Sequence, residues 1–116
     1  MGKLEKTLNM DLDELSRKID HGVCSICSMT IKRDEWSTEA GDVKCIVKVF
    51  EKCSNKKDGN HASMAVTLVR TGDEVRLCAI TSGTSNALFF IPYDGCEGEL
   101  SGALGITLNI LDDMIL

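Results

Sequence analysis

The clearest pattern of hydrophobic and polar positions lies between residues 62 and 82. Apolar residues occupy every second position on both sides of a short polar segment, at Met64, Val66 and Leu68 and then at Val75, Leu77 and Ala79. This alternation predicts two half-buried β-strands. Between them, Gly72 can adopt the positive φ that a two-residue hairpin turn requires at its first central position. With Gly72 and Asp73 in the turn, Arg70 lies opposite Val75 and both apolar sets share one face, so the pattern predicts the register as well as the hairpin.

Two other segments, residues 23–31 and 44–53, alternate in a similar way and are predicted to be strands. In the second segment, lysines fill much of one parity. We therefore expect the other parity, with Cys45, Val47 and Val49, to face the core.

The connections are predicted from their polar composition. Residues 33–42, which include Trp36, and residues 54–60 are expected to be a polar connection and a turn. Residues 87–93 are apolar and aromatic, and Pro92 near their end fits an edge strand or a strand terminus.

Helices are predicted near both ends of the chain. Asn9 is a suitable N-cap for a helix over residues 9–20, and Gly22 is a suitable stop. From residue 97 to the C-terminus, apolar residues recur at spacings of three and four, which predicts a second helix packed against the sheet. Residues 1–8 carry no strong pattern, and termini of this kind are prone to fray.

The predicted order is therefore a helix, four or five strands and a second helix. Consecutive strands with short connections form antiparallel sheets, and helices at the two ends can cover one apolar face. We predict an α+β fold: a two-layer sandwich in which an antiparallel sheet of four to five strands carries the N-terminal and C-terminal helices on one face. The 116 residues are expected to form a single domain.

Composition narrows the range of functions more than it narrows the fold. A net charge of −5 and an aromatic content of 4% argue against nucleic acid as a partner, because such binders usually carry basic stripes and stacking side chains. The sequence has no apolar segment long enough to span a bilayer and no signal-peptide pattern, so we expect a cytoplasmic protein without a membrane partner. Cytosolic thiols stay reduced, so the six cysteines are interpreted as thiols and not as a disulfide framework.

The strand pair of the central hairpin, together with the residues that follow it, resembles a known family. This part of the chain includes the stretch A-I-T-S-G-T-S-N-A-L-F-F at residues 79–90, followed by D-G and an apolar helical pattern. Over residues 43–111 the chain is similar to a family of small uncharacterised bacterial proteins, a domain of unknown function. The resemblance implies an α+β fold and a bacterial cytosolic setting. It brings no catalytic residues.

Cys24 and Cys27 form a C-x-x-C pair outside that resemblance. Such a pair can be half of a zinc site or a thiol redox couple. No second closely spaced pair completes a zinc site, and residues three apart in a regular strand point to opposite faces. We favour buried or incidental cysteines, keep a metal or thiol-redox protein as an alternative, and predict no metal and no cofactor.

The polar link after the hairpin is a second candidate site. Its hydroxyls and backbone N–H groups could hold an anion or a small molecule, and its residues are Thr81, Ser82, Gly83, Thr84, Ser85 and Asn86. The link lacks the glycine spacing and the lysine of a phosphate-binding loop. A simple polar connection is the favoured interpretation, and a small-molecule or anion binder is kept as an alternative function.

The outer face of the predicted sheet gives the leading functional hypothesis. Apolar residues are predicted to lie on this face at Ile46, Phe50, Val69, Cys78 and Ile80. So many apolar side chains on a face left in water would be unusual for a monomer. We therefore predict a non-enzymatic module that forms a homodimer or binds a protein partner, and we assign no catalytic residues.

Overall fold

The computed structural model describes residues 2–26, 30–53, 61–84 and 104–107. The elements are β1 (Gly2–Leu8), α1 (Leu12–Ile26), β2 (Thr30–Ala40), β3 (Val43–Cys53), β4 (His61–Thr71), β5 (Glu74–Thr84) and a helical turn at 104–107. All five strands belong to one antiparallel sheet in the order β1-β5-β4-β3-β2. The predicted antiparallel sheet with helices is confirmed at this level. The predicted turn at 54–60 and the predicted strand at 87–93 lie outside the described residues.

The central hairpin is present in the predicted register. β4 and β5 pair with Arg70 opposite Val75 and Leu68 opposite Leu77. Gly72 has a φ of +62°, a conformation that glycine adopts without the steric cost of a Cβ. The apolar residues that alternate along both strands are buried, as predicted. Local turn chemistry and burial agree here, which is why the sequence pattern was sufficient.

Residues 2–8 form an edge strand, not a frayed terminus. β1 pairs with β5, so that Leu4 lies opposite Ala79 and Leu8 lies opposite Val75. Leu8 is buried and Leu4 packs against the core. The strand is short and carries few apolar residues, and its pairing partner is distant in the chain. Its order therefore depends on a tertiary contact that a local pattern does not reveal.

Helix α1 begins later and ends later than the sequence predicts. Oδ2 of Asp11 accepts a 2.9 Å hydrogen bond from the backbone N–H of Glu14, so Asp11 and not Asn9 caps the helix. One face is buried along the whole helix, at Leu12, Leu15, Ile19 and Val23. The predicted strand over residues 23–31 is wrong at its start, because Val23 continues this helical stripe and α1 runs to Ile26.

Gly22 lies inside α1 and does not end it. A Cβ at this position would overlap the Thr107 hydroxyl and lie 2.6 Å from Cγ2 of Thr107. Leu104, in the same helical turn as Thr107, is buried in the core. The predicted C-terminal helix is described only at 104–107, and there Thr107 lies against α1, not against the sheet as predicted. The glycine of α1 therefore provides the space for a close approach between two helical segments.

β2 occupies a region for which the composition predicts a connection. It is the edge strand beside β3, and a bulge leaves Arg33 unpaired between Lys32 and Asp34. Every side chain from Ile31 to Ala40 is exposed. An edge strand with so little burial lacks the apolar alternation by which half-buried strands are recognised, so the prediction of a connection is wrong for a physical reason.

The sheet has one covered face, called here the helix face, and an opposite outer face. Helix α1 packs on the helix face, where the buried side chains of β3, β4 and β5 are Ile46, Lys48, Phe50, Lys52, Ala62, Met64, Val66, Leu68, Val75, Leu77, Ala79 and Thr81. The predicted core parity of β3 is therefore wrong. Lys48 and Lys52 are buried, and Cys45, Val47 and Val49 lie on the outer face.

Candidate functional site

The outer face is apolar at its centre. We define the outer patch as the uncharged side chains that neighbouring strands bring together there: Trp36, Cys45, Val47, Val49, Ala65, Thr67, Val69, Cys78 and Ile80. Trp36 is 60% exposed and Ile80 is 44% exposed. Trp36 lies opposite Val47 in the register of β2 and β3. The patch therefore extends from the edge strand β2 across the sheet to β5.

Charged side chains on this face lie around the outer patch. By strand register and contact they are Lys3, Glu5, Arg33, Asp34, Glu51, Glu74 and Arg76. Some are paired, as Arg33 is with Glu51 at 3.4 Å and Lys3 is with Glu5 at 3.3 Å. An apolar centre with a polar rim is the usual anatomy of a protein–protein interface.

Three of the five predicted interface residues lie on this face. Val69, Cys78 and Ile80 belong to the outer patch. Ile46 and Phe50 do not, because they face α1 and are 4% and 0% exposed. They were predicted to lie on the outer face because the lysines that alternate with Cys45, Val47 and Val49 were expected to face solvent. That prediction is wrong, since Lys48 and Lys52 are buried on the helix face together with Ile46 and Phe50.

Sequence analysis missed Trp36, which it placed in a connection, as well as Cys45, Val47 and Val49, which it assigned to the core face. Trp36 lies in β2, and the charged residues on its N-terminal side favour a loop when the sequence is considered alone. The available clue is the presence of residues that favour strands, namely Thr30, Ile31 and Thr38 in addition to Trp36. The clue is weak because the charged residues between them hide the alternation.

Beneath the sheet edge, on the helix face, a buried lysine joins three elements. Lys48 is fully buried, and its Nζ donates hydrogen bonds to Oδ1 of Asp20 at 2.7 Å, to Oε1 of Glu35 at 2.9 Å and to the carbonyl oxygen of Ser16 at 3.1 Å. Lys32 Nζ donates to Oδ2 of Asp20 at 2.9 Å and to Oε1 of Glu35 at 3.0 Å. We call Lys48, Lys32, Asp20 and Glu35 the ion cluster.

The ion cluster favours the charged forms of Glu35 and Lys32. Hydrogen bonds from Lys48 and then Lys32 hold the pKa of Glu35 below its ordinary value. Hydrogen bonds to Asp20 and then Glu35 raise the pKa of Lys32. All three N–H groups of Lys48 have acceptors, which suits an ammonium ion and not a nucleophilic amine. Hydrogen bonds from the two lysines to Asp20 of α1 and to Glu35 of β2 therefore hold β2 against α1.

The predicted ligand link at residues 81–86 is divided between the two faces of the sheet. Thr81 is buried on the helix face, whereas Ser82 is exposed and its Oγ lies 3.1 Å from Oγ of Ser63. Residues 81–84 continue β5, and Ser85 and Asn86 lie outside the described residues. The described part is therefore strand and not a loop that gathers its hydroxyls around one ligand.

A cleft of about 560 Å³ lies at the end of the sheet where α1 begins. Its lining comes from the β1–α1 connection and from two hairpin turns, and includes Asp11, Asp42, Arg70 and Asp73. Asp11 caps α1, and the Arg70 guanidinium is bonded to Glu39 at 3.0 Å. Two of the groups that could hold a ligand are thus occupied by structural contacts.

The C-x-x-C pair is placed differently from the prediction. Cys24 is exposed in α1 and not in a strand, and Cys27 lies outside the described residues. Within the described ranges, no group of three or more His, Cys, Asp or Glu side chains is arranged to hold a metal ion. In the same ranges, no helix combines the length and hydrophobicity needed to cross a bilayer.

The fold and the outer patch define the class of this protein: an α+β protein whose antiparallel sheet, among the described residues, is covered by a helix on one face and open on the other. The chain belongs to the family of unknown function DUF6054, whose sequence profile matches residues 1–109. This confirms the resemblance to an uncharacterised family and extends it over nearly the whole chain. No curated protein matches the chain.

Proposed function

We propose that this protein is a non-enzymatic module that forms a homodimer through the outer face of its sheet. The observation that carries the proposal is the outer patch, an uncharged centre with Trp36 and Ile80 exposed, on a sheet whose helix covers the other face. Contiguous apolar surface of this kind marks interaction sites on soluble proteins.

The size of the face suits an interface between proteins. β2, β3, β4 and β5 each contain 11 residues. At about 3.3 Å per residue and about 4.8 Å between strands, the face measures about 36 by 19 Å, or about 700 Å². A standard interface buries about 800 Å² on each partner, so one face packed on another gives a contact of the usual size.

The charge of the face favours a second copy as the occupant. The rim carries three basic side chains, Lys3, Arg33 and Arg76, against four acidic ones, whereas the whole chain has a net charge of −5. Two copies therefore meet through a nearly neutral surface, and like-charge repulsion is small there. A twofold dimer uses the same patch on both subunits, and two antiparallel sheets can pack face to face at about 10 Å.

A cytoplasmic and bacterial setting is part of this proposal. Cys45 and Cys78 are free thiols, which suits a reducing compartment. The bacterial setting rests on the family resemblance. Titration of freshly purified, unfolded protein with a thiol reagent is expected to find all six cysteines reduced. A stoichiometry well below six would contradict the cytoplasmic setting.

The decisive experiment compares two isoleucines that are equally exposed. Ile80 in the outer patch and Ile26 at the end of α1 are both 44% exposed. Native mass spectrometry and light scattering on the wild type, Ile80→Lys and Ile26→Lys should give a dimer, a monomer and a dimer respectively. The added charge is the same in both variants, so the difference isolates the outer face.

Two results would contradict the proposal. A wild-type protein that is monomeric at all accessible concentrations would leave the face to a different partner. A dimer that persists in Ile80→Lys and dissociates in Ile26→Lys would place the interface on the helix side.

A further inference from the structure

The bulge in β2 decides which side chains of the edge strand point outward. Before the bulge, Lys32 lies on the helix face opposite Phe50. After it the parity is reversed, so that Glu35 lies opposite Lys48 on the helix face and Trp36 lies on the outer face. Because side chains alternate along a strand, one extra residue reverses every position that follows it. The outward position of Trp36 therefore depends on Arg33 remaining unpaired.

The sequence offers a second register without the bulge. If the pairing of Lys32 with Phe50 continued without interruption, Asp34 would lie opposite Lys48, and Trp36 would lie opposite Ile46 on the helix face. Both registers thus place a carboxylate opposite the buried lysine. The hairpin would change from the two-residue turn at Gly41 and Asp42 to a three-residue loop over residues 40–42, and glycine-containing loops of both lengths are common.

Besides the ion cluster, the two registers differ in the ion pair between Glu39 and Arg70, which is partly exposed to solvent and therefore contributes little to the choice. All side chains of β2 from Ile31 to Ala40 are exposed, so hydrophobic burial holds the strand only weakly. Registers of exposed strands with polar side chains are weakly specified and prone to slip. Glu35, by contrast, makes hydrogen bonds with both lysines of the ion cluster, at 2.9 and 3.0 Å.

We propose that β2 exchanges between two registers, selected by whether Glu35 or Asp34 pairs with Lys48, and that this choice regulates the outer patch by turning Trp36 outward or inward. The inference rests on the proposed function for its consequence, since a dimer that buries Trp36 draws the equilibrium toward the bulged register. The register itself is a property of the monomer. Glu35 is a positioning residue, because it acts on the contact through Trp36.

Three variants test the proposal on the monomer. Glu35→Gln removes the carboxylate that selects the bulged register, and Glu39→Gln is the matched control, because Glu39 lies on the same strand and face but pairs with Arg70 at 3.0 Å. Deletion of Arg33 removes the bulged residue, so Glu35 faces Lys48 without a bulge and Trp36 is held outward. Trp36 is the single tryptophan, so acrylamide quenching of its fluorescence measures its exposure directly. The monomer is the diluted protein or the Ile80→Lys background.

We expect Glu35→Gln to shift Trp36 emission to shorter wavelength and to lower its quenching, while Glu39→Gln leaves both unchanged. With Arg33 deleted, Glu35→Gln should no longer alter the quenching of Trp36. For the dimer, the apparent Kd rises as the inverse square of the outward fraction, because both subunits must have Trp36 outward, so a monomer left about one-tenth outward dimerises about a hundredfold more weakly. A loss of stability alone would not change the exposure of Trp36 in the folded protein.

Unchanged quenching in folded Glu35→Gln monomer would overturn the proposal. If that variant does not fold, the charge-preserving exchange of Asp34→Glu with Glu35→Asp tests the same choice, and wild-type quenching in that variant would also overturn it. The proposed function fails separately, since it is tested by the mass of the Ile80→Lys and Ile26→Lys variants and not by Trp36 exposure.

Discussion

Nζ of Lys48 lies 2.9 Å from Oε1 of Glu35, and this hydrogen bond joins a central strand of the sheet to its exposed edge strand. Lys48 is fully buried, whereas the Glu35 side chain is 39% exposed. The lysine also bonds Asp20 of α1 at 2.7 Å, so one ammonium group connects helix, edge strand and core. Removal of a buried charge that several partners hold lowers the free energy of unfolding, because the remaining partners stay partly desolvated without the charge that compensated them.

Replacement of Lys48 should therefore destabilise the fold in two separable steps. Lys48→Met keeps the stem volume and removes the charge, and we expect a loss of about 2 kcal/mol, below the usual cost of breaking a buried pair because both acids are partly hydrated. Lys48→Ala also removes the packed stem and should cost about 1–2 kcal/mol more.

Lys44→Met is the control for the Lys48 variants. Lys44 lies on the same strand and pairs with exposed Asp13 at 3.1 Å, so the loss of stability in Lys44→Met should stay within about 0.5 kcal/mol. Urea unfolding measures all three, and equal midpoints for Lys48→Met and Lys44→Met would contradict the structural role of the buried ammonium group.

Acid should weaken the protein partly through Glu35. Its pKa is lowered in the folded state, first by the hydrogen bond from Lys48 and then by that from Lys32. A lowered folded pKa means that the stabilising contribution is present above the ordinary value of 4.5 and is lost as the pH falls through the folded value. With Arg33 deleted, so that Asp34 does not replace Glu35 beside Lys48, Glu35→Gln should therefore flatten the acid side of the melting temperature profile, whereas Glu39→Gln in the same background should keep the slope of the parent. An acid profile of Glu35→Gln parallel to that of the parent would show that this carboxylate is not a source of the acid sensitivity.

Gly22 should not tolerate a methyl group. Alanine has the better helix propensity by about 1 kcal/mol, but its Cβ would overlap the Thr107 side chain, and overpacking costs about 1–3 kcal/mol. We expect Gly22→Ala to be destabilising by about 1 kcal/mol in thermal unfolding, and Thr107→Ala to restore part of the loss. Gly105→Ala is the matched control, since its Cβ would meet no atom within 4 Å. A stabilising Gly22→Ala would mean that the two helical segments do not approach as described.

Trp36 should become less exposed as the dimer forms. Its side chain is 60% exposed in the single chain and lies in the outer patch. Across a dilution series, its emission should shift to shorter wavelength at the concentration where the mass doubles, and Ile80→Lys should abolish the shift. A dimer that forms without any change at Trp36 would use a different surface.

The hairpin of β4 and β5 was predictable because its determinants are local. Gly72 supplies the turn conformation, and Leu68 and Leu77 fall opposite each other in the one register that keeps both apolar sets together. β2 was not predictable in this way. Its strand conformation comes from pairing with β3, and the side chains around Trp36 follow no apolar alternation because most of the strand is exposed on both faces.

The candidate site was predicted in part for the same reason. Val69, Cys78 and Ile80 lie in the outer patch as predicted, because they belong to the hairpin whose register was correct. Ile46 and Phe50 were assigned to the wrong face, because lysine is normally a marker of the solvent side of a strand. In β3 the partners of Lys48 come from α1 and β2, so its burial depends on acids that are distant in the sequence.

The sequence by itself determined the central hairpin, its register and the antiparallel α+β character of the domain, because turn conformation and period-two alternation act between residues that are near in the chain. Only the tertiary structure decided the rest. The pairing of β1 with β5, the continuation of α1 through Gly22 beside Thr107, and the burial of Lys48 between Asp20 and Glu35 are tertiary features. Each of these depends on a free energy gained only when distant segments meet, and the exposed position of Trp36 is set by the same long-range contacts.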